Sequence, residues 1–233
     1  VINMTTTFDT SRPLTITPDI QFGSDGYNRQ QVRFEGGNAG TQFMASASRF
    51  KTDGFRQNGA AEIIQANVVV NQVLSPSTEL RGVFNLYEAP FSESPSFLNE
   101  TDARGEPMRD NDGDCLSGAC LARGIAASRH WGEGTNQGQY GMTLTHRFDD
   151  TQQFRVTGWG MWRRLDAIGA FQNIELARSG FGFRSEYLGG TQVGDVGIEW
   201  AAGLDVASQN DDRMEFGQVA PAVSGEDATN GAL

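Results

Sequence analysis

Long apolar runs are missing from these 233 residues. No stretch approaches the roughly 18 to 20 consecutive apolar residues that a membrane-crossing helix requires. No window sets apolar residues convincingly at i, i+3, i+4 and i+7 either, so helices are not expected. Histidine is scarce: His130 and His146 are the two present. There is also no Gly-flanked serine, no paired set of metal ligands and no phosphate-cradling glycine loop. The usual nucleophile and metal constellations are therefore absent, and neither a catalytic residue nor a cofactor is assigned. Basic residues are outnumbered, with Lys+Arg at 18 against Asp+Glu at 29 and a net charge of −11. That balance argues against nucleic acid as a partner, since phosphate binding needs clustered Lys and Arg.

What the chain has instead is alternation. From about Leu14 it reads as a train of segments of roughly ten residues in which apolar and polar positions take turns. In the clearest segment Val196, Ile198, Trp200, Ala202, Leu204 and Val206 share one face, while Gly197, Glu199, Ala201, Gly203 and Asp205 share the other. A period of two places successive side chains on opposite faces of a strand. Tyr140, Met142, Leu144 and Phe148 oppose Gly141, Thr143, Thr145 and Arg147, and Leu14, Ile16, Ile20 and Phe22 oppose Thr15, Thr17, Asp19 and Gln21. Phe154, Val156, Gly158, Gly160 and Trp162 form another face with an aromatic at each end, as a girdle at a membrane interface would have. Two segments are weaker: Thr41–Phe50 mixes both faces, and Glu62–Leu74 has a clean face only at Ile64, Ala66, Val68 and Val70.

A half-buried sheet in a soluble protein would share this period, but it needs a second layer over its apolar face, and no segment supplies one. The pattern instead fits strands with lipid on one side and water on the other. A mean hydropathy of −0.43 does not oppose this, because a water-lined barrel gives only every second strand residue to lipid. The expected fold is all-β: nine antiparallel strands in an up-and-down meander. The gaps support it. Those near Gly36–Gly40, Ser75–Thr78, Asp149–Gln152 and Gly189–Asp195 are short and turn-like. Those interleaved with them are long, covering Lys51–Ala60, about Ala89–Gln139, about Leu165–Gly180 and everything from Ser208; Gly23–Gly26 alone breaks the rule. Outer-membrane barrels have short periplasmic turns and long external loops, which assigns the two sides.

At this point the residues resemble a family. Val1-Ile-Asn-Met-Thr-Thr-Thr7 looks like the end of the plug domain of TonB-dependent outer-membrane receptors, where a similar run precedes the first barrel strand. Thr52-Asp-Gly-Phe-Arg-Gln-Asn58 resembles the family's second external loop, and Phe84-Asn-Leu-Tyr-Glu-Ala-Pro-Phe-Ser-Glu-Ser-Pro95 is similar to a strand and proline-rich loop in receptors for iron complexes. Ile174-Glu-Leu-Ala-Arg178, Phe181-Gly-Phe183 and Gly203–Arg213 look like later strands of the same group.

The resemblance implies a fragment: residues 1–10 as the end of a plug, and residues 11–233 as the first part of a barrel of about 22 strands. Nine strands cannot close, so open edges are expected near Leu14 and Val196, and these residues expressed alone are expected to aggregate or stay unfolded. The location implied is the outer membrane of a Gram-negative bacterium, with lipid as one partner and TonB, acting through the missing plug, as another. The solute implied is scarce and too large for porins, a ferric siderophore being the leading choice beside vitamin B12, haem and oligosaccharides. Arg163, Arg129, Trp131 and Arg56 offer cations and an aromatic face to an anionic iron complex. Alternation with Trp162 turns Arg163, and not Arg164, toward the water-filled side. His130 is assigned to loop packing and His146 to a strand end.

Cys115 and Cys120 fall in the longest external loop, where an oxidising environment and a short enclosed segment favour a disulfide. A metal pair is disfavoured, since no second pair or spaced His completes four ligands. Asp110-Asn-Asp-Gly-Asp114 places oxygens at alternate positions like a calcium loop, but Cys115 stands where that motif needs Gly and no closing Glu follows. A solvated acidic turn is expected there, and no metal site is assigned. The alternatives to the receptor are a general porin-type barrel, which would lack a plug, and a soluble all-β binding protein, which would need a second sheet.

Overall fold

A computed structural model describes residues 12–55, 58–94, 130–169 and 172–217. These form nine strands: β1 (Thr15–Phe22), β2 (Asn28–Gly37), β3 (Thr41–Thr52), β4 (Ala61–Ser75), β5 (Thr78–Glu93), β6 (Gly132–Arg147), β7 (Gln152–Ile168), β8 (Gln172–Val193) and β9 (Val196–Gly217). They make one antiparallel sheet in chain order, β1 to β9, as the alternation predicts. Among the described residues β1 and β9 each pair on one side only, and no helix is present.

Register explains why the sheet has two chemistries, because directly paired residues share a face. One ladder row runs Ile16, Phe34, Ala45, Val68, Phe84, Tyr140, Gly160, Phe181. The next residue along each strand gives Thr17, Arg33, Ser46, Asn67, Asn85, Gln139, Met161, Gly180. A slip of one residue at any pairing would send a whole strand's apolar set to the wrong face, so this agreement across eight strands holds the register. The weak segment in β3 falls into place: Phe43, Ala45 and Ala47 join the apolar face, and Met44, Ser46 and Ser48 the polar one.

Most strands are longer than their alternation. The gaps expected at Ala89–Gln139, Leu165–Gly180 and beyond Ser208 all shrink, because β5 continues to Glu93, β6 starts at Gly132, β7 and β8 extend to Ile168 and from Gln172, and β9 reaches Gly217. At the other end β8 continues to Val193, leaving Gly194 and Asp195 as the turn. In the extensions polar residues enter the apolar face, as at Asn136, Arg164 and Asp212, and apolar ones enter the polar face, as at Leu165, Ile174 and Leu176, so the segregation fades there while the hydrogen-bond ladder continues. Two prolines sit where a strand tolerates a missing N–H: Pro18 in edge strand β1, and Pro90 inside the register shift between Ala89 and Ser92. At the β1–β2 turn Asp25 and Gly26 both take positive φ, 56° and 68°, as a tight two-residue hairpin requires.

Aromatic rings lie over cross-strand glycines on the apolar face. A Cβ at Gly138 would come within 2.0 Å of the Trp162 ring, and one at Gly189 within 2.3 Å of Trp200. Tyr140 and Trp162 are neighbours toward the long-loop end, and Phe148, Tyr187 and Trp200 form a second group toward the turn end, with Tyr187 stacked on Trp200 at 5.2 Å.

Candidate functional site

The polar face carries cross-strand ion pairs over β5–β9. Arg147 reaches Glu79 at 3.4 Å, Arg155 reaches Glu186 at 3.7 Å, and Arg184 pairs with Asp205. Arg178 grips Asp211 with both prongs of its guanidinium, at 2.8 and 2.6 Å. Opposite charges facing each other across a ladder support register, and each cation here is neutralised by its neighbour.

Between these pairs and the β1 edge the face changes character. An open recess of about 390 Å³ is lined by the amides of Gln65, Asn67, Asn85, Gln137 and Gln139, with Tyr87, Glu133, Thr135 and Arg163 above them. Arg163 has no ion pair among the described residues, and its Nε is buried without a partner. Across the ladder it faces Gln137 on one side and Arg178 on the other, whose charge Asp211 already balances. Thr135 is 6 % exposed and Trp131 9 %, and neither the threonine hydroxyl nor the indole Nε1 has a partner among the described residues. Leaving a buried donor unsatisfied costs about 1–3 kcal/mol. Thr135 and Arg163, two such groups in one recess, mark a part of this face that calls for an additional polar partner.

Of the candidates named from the sequence, Arg163 lies on this face in the half nearer the long loops, and Trp131 immediately precedes β6. Arg164 lies on the opposite face, beside Asn136 in the ladder. Arg56, Arg129, Cys115 and Cys120 are outside the described residues. His130 closes the approach to β6 with φ 51°. His146 stands at the end of β6, its Nδ1 2.8 Å from the Thr78 hydroxyl and its ring edge-on to Phe148. Glu133, Thr135 and Gln137 were missed by sequence reasoning, because a gap drawn from Ala89 to Gln139 hides the first half of β6; Tyr87, on β5, was not singled out as a site residue. A signal is present: Glu133, Thr135, Gln137 and Gln139 alternate with Gly134, Asn136 and Gly138. Among the described residues no cluster of His, Cys, Asp and Glu could hold a metal ion.

In the β6–β7 turn the Thr151 hydroxyl and backbone N–H both donate to Asp149 Oδ1 at 2.7 Å. The hydroxyl bond chiefly, with the backbone bonds, holds this carboxyl below the usual aspartate value of 3.8.

No protein-family model matches the chain, and no curated protein sequence does. Solved structures do. The alcaligin outer-membrane receptor FauA from Bordetella pertussis superposes with a TM-score of 0.64 at 15 % identity, over 89 % of this chain and 30 % of that one. FpvA of P. aeruginosa, solved with heterologous pyoverdines and iron, gives 0.67 at 13 % identity, over 88 % of this chain and 29 % of FpvA. The siderophore receptor PiuA from Acinetobacter baumannii gives 0.63 at 11 %, over 88 % and 31 %. The chain thus spans less than a third of the length of each, and its fold is that of an arc of the β-barrel of TonB-dependent outer-membrane receptors.

Proposed function

We propose that these residues are part of a TonB-dependent outer-membrane receptor that takes up a scarce solute, a ferric siderophore, and is a transporter and not an enzyme. The observation that carries this reading is the segregation of the sheet. A contiguous apolar face backs onto a face of arginines, carboxylates and amides, in a sheet with the fold of siderophore-receptor barrels. From Phe154 to Trp162 the apolar stretch of β7 measures about 26 Å along the strand, or roughly 20 Å upright at a tilt near 40°. That is close to the height of a barrel's lipid-facing band, with an aromatic at either edge. In this reading the apolar face meets outer-membrane lipid and the polar face lines the lumen.

Arg163 and Trp131 then stand at the external end of the lumen wall. Arg163 offers a fork of donors to the oxygens of an iron chelate, and Trp131 a buried indole N–H. Arg129 and Arg56 are proposed to add cations from the external loops, and Cys115 and Cys120 to form a disulfide in the loop before β6. Residues 1–10 are read as the end of a plug and residues 11–233 as barrel. In such a receptor the plug would be pulled by TonB, using the proton gradient of the inner membrane, to open a path for the bound solute.

The test is direct binding of ferric and iron-free chelators to the complete receptor. Selective, saturable binding of one ferric chelate is the expected result. A protein that binds none but passes small solutes through reconstituted bilayers would be a porin, and the reading would fail.

A further inference from the structure

The segment Thr52–Asn58 resembles a receptor loop in sequence, and its described polar groups are turned on neighbouring turns of this chain. Thr52 Oγ1 donates to Asp25 O at 3.1 Å, and Asp53 N donates to the same oxygen at 2.8 Å. Gly54, at φ 77°, lies so close to Gly59 that a Cβ would fall 2.3 Å from its carbonyl oxygen. Asn58, 8 % exposed and at φ 58°, sends one side-chain amide to two carbonyls: Nδ2 donates to Ser94 O at 2.8 Å and to Trp131 O at 2.9 Å. Around it Ser94 N donates to Trp131 O at 2.7 Å, Glu93 N to Ala60 O at 2.8 Å, and Ala60 N to Glu93 Oε2 at 2.9 Å.

Two requirements meet at this position. The backbone is left-handed, which disfavours most residues with a Cβ but is tolerated by Asn. The side chain must give two N–H donors from one short group to two carbonyl oxygens, which an aspartate cannot do. We propose that Asn58 is a positioning residue. It clamps the two ends of the β5–β6 connection to each other and to the β3–β4 connection, and thereby sets Trp131 at the rim of the sheet. Through Asp25, Thr52 and Asp53 the same stitching reaches the β1–β2 turn, so three successive connections at this end are held as one unit. The inference goes beyond the transport reading and does not depend on it.

The experiment is hydrogen exchange on the full-length protein in detergent, resolved to the amides of Glu93 and Ser94, for Asn58→Asp and Asn58→Gly. The first keeps size and backbone preference but points a carboxylate at two carbonyls. The second suits φ 58° and simply deletes the clamp. Both variants are expected to raise exchange at Glu93 and Ser94 by about tenfold, while Asn85 and Gln139 at mid-strand stay protected. The emission of Trp131, isolated by difference from Trp131→Phe, is expected to move to the red in both. Unchanged exchange at the two amides, or an equal rise along the whole of β5 and β6, would overturn the clamp.

Discussion

The half of the sheet nearer the short turns and the half nearer the long connections share one hydrogen-bond ladder but obey different rules. In the first half the apolar face is nearly unbroken: Phe43, Val70, Gly82, Met142, Gly158, Phe183 and Val206 lie in one row. In the second half the same face carries Gln30, Arg49, Glu88, Asn136, Arg164 and Asp212, with Ile20, Ile64 and Ala177 interrupting the polar run. Arg49 and Glu62 even form an ion pair there, at 2.7 Å. Alternation therefore reports which part of a strand has one apolar and one polar face, and not where the strand ends. The boundary between the halves also drifts. On β1 apolar residues reach the last position, Phe22, whereas on β9 they begin at Val196 and give way after Val206. A level apolar band crossing tilted strands has to drift in this way.

The sharpest way to break the comparison is to put a charge in the middle of the band. Met142→Arg is expected to destabilise the full-length protein by about 2–4 kcal/mol when unfolding is measured in lipid vesicles, and Thr143→Arg, one residue along on the polar face, by about 1 kcal/mol or less. Equal costs would mean that the apolar face does not meet lipid. Next comes the aromatic edge. Gly138→Val drives a branched side chain into the Trp162 ring and is expected to cost about 1–3 kcal/mol by the same measurement, whereas Gly82→Val, with open space around it, should be close to neutral.

A third substitution probes the polar face. On the proposed transport reading, Arg163→Ala is expected to weaken binding of a ferric chelate about tenfold, with a smaller loss for Arg178→Ala, because a cation already paired with Asp211 gives less to a newcomer. A titration of the full-length protein with chelate for each variant decides this, and the reverse order would move the site toward β8 and β9. The smallest effect lies in the β6–β7 turn. Its folded-state carboxyl is depressed, so Asp149 contributes its stabilisation above the ordinary aspartate range and loses it as pH falls through the lowered value. Protection of the Thr151 amide, taken relative to its intrinsic exchange rate, should therefore fall only once the pH drops below the ordinary aspartate range, and Asp149→Asn should flatten that dependence.

Much of the fold was legible because a sheet with one apolar and one polar face imposes a binary choice on every second residue. Ile198, Trp200, Leu204 and Val206 announce β9 without any knowledge of its partner. Arg163 could be turned to the correct face by counting from Trp162. The recess around Arg163 could not be read so directly, because Gln65, Asn67 and Asn85 come from β4 and β5, far from β6 and β7 in the chain, and only register brings them to one wall. Asn58 was invisible as a clamp for the same reason: its acceptors lie 36 and 73 residues on.

The sequence alone determined that this is an all-β meander with one apolar and one polar face, since a period of two is a local property that side-chain order fixes. Only the tertiary structure decided where the strands stop and which buried donors lack partners. It also showed that three connections are tied together at Asp25, Asn58 and Trp131. Those features come from hydrogen bonds between distant segments, and the backbone amides that make them are the same in every residue but proline.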